Sequence, residues 1–215
     1  RDAASAHSLE SALGLAEGAM DTHPDIAFLF EQGNAAQGQH VLESMGYGQA
    51  RPIVAITPSL RVYERSSGRD VGNEYLRALA ELARHCIDRH GLDIVLHANE
   101  ARRLVAGNDD RHLCRLLAAA VDRPGRCFHT DAVLSAADAR VLLGCAELVV
   151  GSRYHCFVFA LSQGIPCLGI SWSHKYGELF RDVGLGECVV EMQNLDAADL
   201  CERFDRAWAA REELS

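Results

Sequence analysis

The sequence lacks any apolar run long enough to cross a bilayer. It lacks a Lys/Arg-rich stretch that would offset its net charge of −9, which argues against nucleic acid as a bulk partner. It has no C-x-x-C pair among its eight cysteines, so neither a redox motif nor a ribbon-type zinc site is indicated. No internal repeat is evident, and the chain does not begin with Met. Its start is therefore expected not to be the native one, and a missing targeting segment carries little weight. What is there is an ordinary globular balance: 215 residues, 48% hydrophobic and 24% charged, enough for one sizeable core. The scattered cysteines read as reduced core thiols of a cytosolic protein. Several His sit beside a Cys, but without a recurring ligand spacing, and no metal or other cofactor is expected.

From Arg51 onward a regular rhythm begins. Ile53–Thr57, Asp93–His97, Arg126–His129, Leu148–Gly151, Pro166–Ser171 and Cys188–Glu191 read as short apolar strands. Between and after them, Asn73–Arg89, Asp109 or Asp110 to Val121, Ala136–Cys145, Tyr154–Gln163, His174–Val183 and Asp196–Glu213 read as helices. Gly91, Gly164 and Gly184 stand where helices close. The alternation predicts an α/β, Rossmann-like parallel sheet with helices on both faces. Ahead of it, residues 1–22 read as a helix with Leu9, Leu13 and Ala16 on one face. Pro24–Phe30 reads as extended, and Gln32–Gln49 as a loop or crossing with some helix.

Ligands of such sheets bind beyond the carboxyl ends of the strands. Two strand ends carry chemistry there. Gly151-Ser-Arg-Tyr-His155 follows one strand and opens a helix. Gly151 permits close backbone approach, Ser152 is a candidate N-cap, Arg153 offers a planar fork for a carboxylate or phosphate, and His155 can move a proton near neutrality. The next strand ends Ser171-Trp-Ser-His-Lys175, with hydroxyls at Ser171 and Ser173 and a point charge at Lys175. The bland alternative is that Arg153 meets a surface acid, His155 makes a core contact, and Lys175 is a solvated first-turn residue. Trp172 either lines the crevice or plugs the core. Arg61, Arg65 and Arg69 follow the first strand and read as a solvated loop more readily than a substrate contact. Together, Arg153, His155 and Lys175 are expected to converge on one pocket for a small, multiply charged anion.

The run Gly151-Ser-Arg-Tyr-His-Cys-Phe-Val-Phe-Ala-Leu-Ser-Gln-Gly-Ile-Pro166, with Gly169-Ile-Ser171 and Ser173-His-Lys-Tyr176, resembles the polysaccharide pyruvyl transferase family. Arg1-Asp-Ala-Ala-Ser5 with Leu9 is similar to that family's R-D-x-x-S-x-x-x-L segment. Asp25-Ile-Ala-Phe28 is similar to its D-P-A-F element, with Ile26 in place of Pro. The resemblance implies one half of a GT-B-like enzyme with two Rossmann-like domains. Residues 1–50 would be the tail end of a mostly absent N-terminal domain plus the crossing, and 51–215 the donor-binding domain. It implies phosphoenolpyruvate as donor and a sugar or lipid-linked glycan as acceptor. The location implied is cytoplasmic, with peripheral membrane association left open. Arg153, His155 and Lys175 would be catalytic, and Arg1, Gly151, Ser152, Ser171 and Ser173 would bind substrate. Two alternatives stand beside it: a GT-B nucleotide-sugar glycosyltransferase, disfavoured because Glu178 is the lone acid near the donor strand, and a non-catalytic ligand-binding fragment.

Overall fold

A computed structural model describes residues 3–48, 51–101 and 109–215. Its frame is a six-stranded parallel sheet. The strands are β1 (Ile53–Thr57), β2 (Asp93–Leu96), β3 (Cys127–Phe128), β4 (Leu148–Gly151), β5 (Cys167–Ser171) and β6 (Val189–Glu191), in spatial order β3-β2-β1-β4-β5-β6. The chain winds outward from β1 to β3, then returns to the other side of β1 with β4. The order therefore reverses between β1 and β4, which creates the crevice where such sheets take ligands.

Period-two alternation splits each strand between two cores. Val54 and Ile56 of β1, Leu148 and Val150 of β4, and Leu168 and Ile170 of β5 face one helical layer. Ile53, Ala55, Val149 and Cys167 face the other. The first layer is built from α3 (Leu60–Arg65), α4 (Glu74–His90), α5 (Asp110–Val121) and α9 (Ala197–Ala209). The second is built from α2 (Ala35–Ser44), α6 (Ala136–Leu143), α7 (Tyr154–Leu161) and α8 (His174–Asp182). Burial on both faces is why these strands read as near-continuous apolar runs.

Local chemistry sets the helix ends. Asn73 caps α4 by accepting from Leu76 N at 3.2 Å, and Gly91 ends it at φ 71°, the left-handed conformation that costs glycine least. Ser135 and Asp138 form a reciprocal capping box on α6. Among the described residues all eight cysteines are free thiols, and burial pushes the Cys127 thiol up to about 12.

The N-terminal region departs from the sequence expectations. The first helix, α1, spans only Ala3–Leu13, and Leu9 and Leu13 are exposed rather than packed. Ile26–Leu29 is a 3-10 turn, not an extended segment, capped by Asp25 accepting from Ala27 N. The stretch read as a loop or crossing with some helix is mostly helix: α2 is capped by Asn34, and its Val41 and Leu42 join the core beside α6. Gln and Gly dilute the apolar period of α2, so tertiary packing rather than pattern makes it a helix. Arg1 lies outside the described residues.

Candidate functional site

The crevice begins where β1 and β4 pass closest. A Cβ on Gly151 would lie 2.1 Å from Thr57 Oγ1 and 2.4 Å from Thr57 O. Only glycine therefore lets the end of β4 lie flat on β1. The next residue is pinned. Ser152 N donates to Thr57 O at 3.1 Å. Its Oγ accepts from the Tyr75 hydroxyl at 3.0 Å, and its carbonyl accepts from the Tyr176 hydroxyl at 2.8 Å and Trp172 Nε1 at 3.4 Å. Ser152 does not cap α7. Arg153 occupies the N-cap position, with no side-chain cap bond. The serine fixes the strand-to-helix turn, and burial pushes the Tyr176 phenol up to about 12.

Arg153 leans across β1 toward the β2 side. Its Nη2 donates to Glu100 Oε2 at 3.0 Å and to Asp110 Oδ1. Asp110 is fully buried and ties three segments together. Besides Arg153, it accepts from Leu60 N and from Glu100 N, each at 2.9 Å. Burial pushes the Asp110 carboxyl above its ordinary range, against the opposite pull of Arg153. Around this pair, several buried polar atoms have no partner among the described residues: Arg153 Nε, Thr57 Oγ1, Ser59 Oγ and His97 Nε2. Orphans of this kind are rare in folded proteins, and these four stand at or just past the carboxyl ends of β1, β2 and β4. Burial lowers His97 to about 4, so it is neutral at physiological pH.

Lys175 takes a different setting. On the first turn of α8, its Nζ lies 5.1 Å from the Tyr154 ring centroid, 5.4 Å from Trp172 and 5.5 Å from Tyr176. Arg65 stands 4.7 Å from the same Trp172 ring. The indole packs against both cores as a partly buried side chain, and its N–H donates to Ser152 O. An open groove of about 960 Å³ runs along Lys175, Tyr154 and Glu178 on one side and His23, Phe28 and Leu29 on the other. Ser171 Oγ donates to the carbonyl of Ser173, and Ser173 is the N-cap residue of α8 without a side-chain cap bond.

The three charged candidates thus divide. His155 is exposed and meets the Tyr154 ring edge-on at 5.7 Å, so His155 and Lys175 share one tyrosine. The Arg153 guanidinium is held outside that groove by Glu100 and Asp110. In sequence Asp110 reads only as a helix cap, and its pairing with Arg153, 43 positions away, has no local signal. Nor does the sequence single out His97, Tyr75 and Tyr154, whose partners are distant in sequence. A polar residue directly after an apolar strand was the one available signal for His97.

Solved structures share this architecture. An ADP-heptose lipopolysaccharide heptosyltransferase II from E. coli superposes with a TM-score of 0.62 at 15% identity, covering 94% of this chain and 61% of that one. A family 9 glycosyl transferase from Veillonella parvula gives 0.56 at 10% identity, with 97% and 60% covered. A UDP-GlcNAc 2-epimerase from Neisseria meningitidis gives 0.51 at 13%, with 82% and 41% covered. This chain spans about two-fifths to three-fifths of the length of those structures. At such identities the likeness shows the fold, that of the GT-B glycosyltransferases. The polysaccharide pyruvyl transferase family model, in contrast, matches residues 1–174. With most of its length matched, including the Gly151–His155 turn and the first residue of α8, the chain belongs to the polysaccharide pyruvyl transferase family.

Proposed function

We propose that this chain supplies the donor-binding part of an enzyme that moves a pyruvyl group from phosphoenolpyruvate onto a pair of sugar hydroxyls, forming a ketal. The observation that carries the reading is Arg153. Its side chain is 12% exposed at the strand-order reversal, and neighbouring buried polar atoms lack partners among the described residues. A guanidinium held by carboxylates in this position can exchange them for a ligand's carboxylate or phosphate.

The chemistry follows from the donor's charges. Turned from Glu100 and Asp110 toward the Lys175 rim, Arg153 holds one anionic end and Lys175 the other, and Arg1 is a further candidate outside the described residues. Protonation of the donor methylene places positive charge on the central carbon. One sugar hydroxyl adds there and loses its proton. Phosphate departs with its electron pair, and the second hydroxyl closes the ketal with loss of a proton. His155, exposed on the first turn of α7, is the acid or base for one of these transfers. Lys175 and Arg153 stabilise the leaving phosphate by charge. Gly151 and Ser152 shape the turn, and Ser171 and Ser173 line the neighbouring strand end. Residues 51–215 form the donor unit. Residues 1–50 belong to the crossing from a preceding domain, and the acceptor, a sugar or lipid-linked glycan, binds partly outside this chain. The reading places the reaction on the cytoplasmic side of the membrane.

Lys175 is the chain's sole lysine, which gives a direct test. Phosphoenolpyruvate should protect its ε-amine from acylation and bind in calorimetry, whereas a UDP-sugar should do neither. Arg153→Ala should remove both effects. In the complete protein, His155→Ala should lower pyruvyl transfer by about two to four orders of magnitude. Protection by the UDP-sugar alone, or undiminished transfer by the His155 variant, would reject the assignment.

A further inference from the structure

The helical layer of α4 and α9, toward the amino ends of the strands, carries a second polar cluster with no part in the reading above. His90 ends α4 just before Gly91 and β2, and His85 sits one turn earlier. The cluster therefore stands by the amino ends of the strands, away from the crevice. Asp205 reaches it from α9, which packs against α4. The Nε2 atoms of His85 and His90 each lie 2.7 Å from the same oxygen, Asp205 Oδ1. All three ligand atoms fall within 4.8 Å of one another. The side chains are mostly enclosed, 20%, 18% and 28% exposed. Arg89 Nε stands 3.7 Å from the other carboxylate oxygen, Oδ2.

We propose that His85, His90 and Asp205 bind a divalent transition-metal ion of the zinc or cobalt class, which clamps α4 to α9. Two imidazoles and one carboxylate are the borderline donor set that zinc takes in three-ligand sites, leaving a fourth tetrahedral position for water. Calcium and magnesium, which require more oxygen ligands, do not suit it. Arg89 engages Oδ2 and leaves Oδ1 to the ion, the outer-shell arrangement that orients ligating carboxylates.

The surroundings limit both ring motion and solvent. The Phe204 ring lies 5.6 Å from His90 and 6.5 Å from His85, and Trp208 lies 6.1 Å from His90. The two histidine rings are 5.5 Å apart. An ion entering between Nε2, Nε2 and Oδ1 displaces the shared protons and needs only a small outward shift, since metal–ligand bonds near 2.0–2.2 Å separate the ligand atoms by roughly 3.3 Å.

The test is titration of the whole chain with Zn²⁺ and Co²⁺. The expected result is one tight equivalent, a cobalt spectrum of nitrogen and oxygen ligation without a thiolate charge-transfer band, and a melting temperature raised by roughly 5–10 °C at a hundredfold excess over Kd. His90→Gln, His85→Gln and Asp205→Asn should each weaken binding at least tenfold, with folding checked by circular dichroism without metal. Failure of the wild-type chain to bind one equivalent overturns the proposal and leaves a hydrogen-bonded clamp. A thiolate band, or equal binding by all three variants, overturns it in favour of a site elsewhere. Neither result bears on donor binding at Arg153.

Discussion

Two cations stand at neighbouring strand ends, and the protein treats them oppositely. Arg153, after β4, is buried and held by two carboxylates, one of which also ties down Leu60 and Glu100. Lys175, after β5, rests among three aromatic rings at the rim of an open groove. The same positional logic, a cation at a strand carboxyl end, yields a guanidinium held by carboxylates in one case and an ammonium set among aromatic rings in the other. Burial makes the difference. A buried guanidinium must have counter-charges, because its desolvation is costly, whereas a rim ammonium keeps part of its hydration and gains further from the aromatic faces beside it.

The largest break in that comparison comes from Asp110→Ala. It strips Arg153 of its fully buried partner and frees two backbone N–H groups, so unfolding stability should fall by about 3–5 kcal/mol. Urea denaturation measures this, and a loss below 1 kcal/mol would mean that Glu100 and water suffice.

His97, in the Arg153 region, gives a pH readout. Burial depresses it from an ordinary 6.5 to about 4. The unfolded chain therefore binds the extra proton first, and the stability from keeping this ring neutral is present above pH 6.5 and lost as pH falls toward 4. The loss should approach about 3 kcal/mol at the acid end. Asp110, whose folded carboxyl is raised, acts oppositely over part of that range, so the net slope should be smaller. His97→Gln should flatten or reverse the slope between pH 7 and 5 in denaturation series. An unchanged slope would assign it to other groups.

The smallest effect belongs to the rim. Lys175→Met keeps the aliphatic contact with Tyr154, Trp172 and Tyr176 while removing the charge, and should cost under about 1 kcal/mol. If it costs as much as Asp110→Ala, the contrast between the two regions disappears.

Much of the frame was legible in the chain. The alternation of short apolar strands and amphipathic helices after Arg51 follows from backbone periodicity, which is local. Helix stops at Gly91 and capping at Ser135 are likewise read within a few residues. The Gly151–His155 turn was legible for the same reason. The N-terminal region was not: α2 is helical because Val41 and Leu42 pack beside α6, more than ninety positions away, and α1 leaves Leu9 and Leu13 exposed although its spacing suggested a buried face.

By itself, the sequence determined a parallel α/β sheet, the strand ends that carry chemistry, and the family signature, because each depends on neighbours within one element or one turn. Only the tertiary structure decided where the charges point. Arg153 turns to Glu100 and Asp110, Lys175 to the aromatic rings, and His85 and His90 to Asp205. Each pairing joins residues remote in sequence, and the balance between desolvation and counter-charge that selects it exists only once the core has closed.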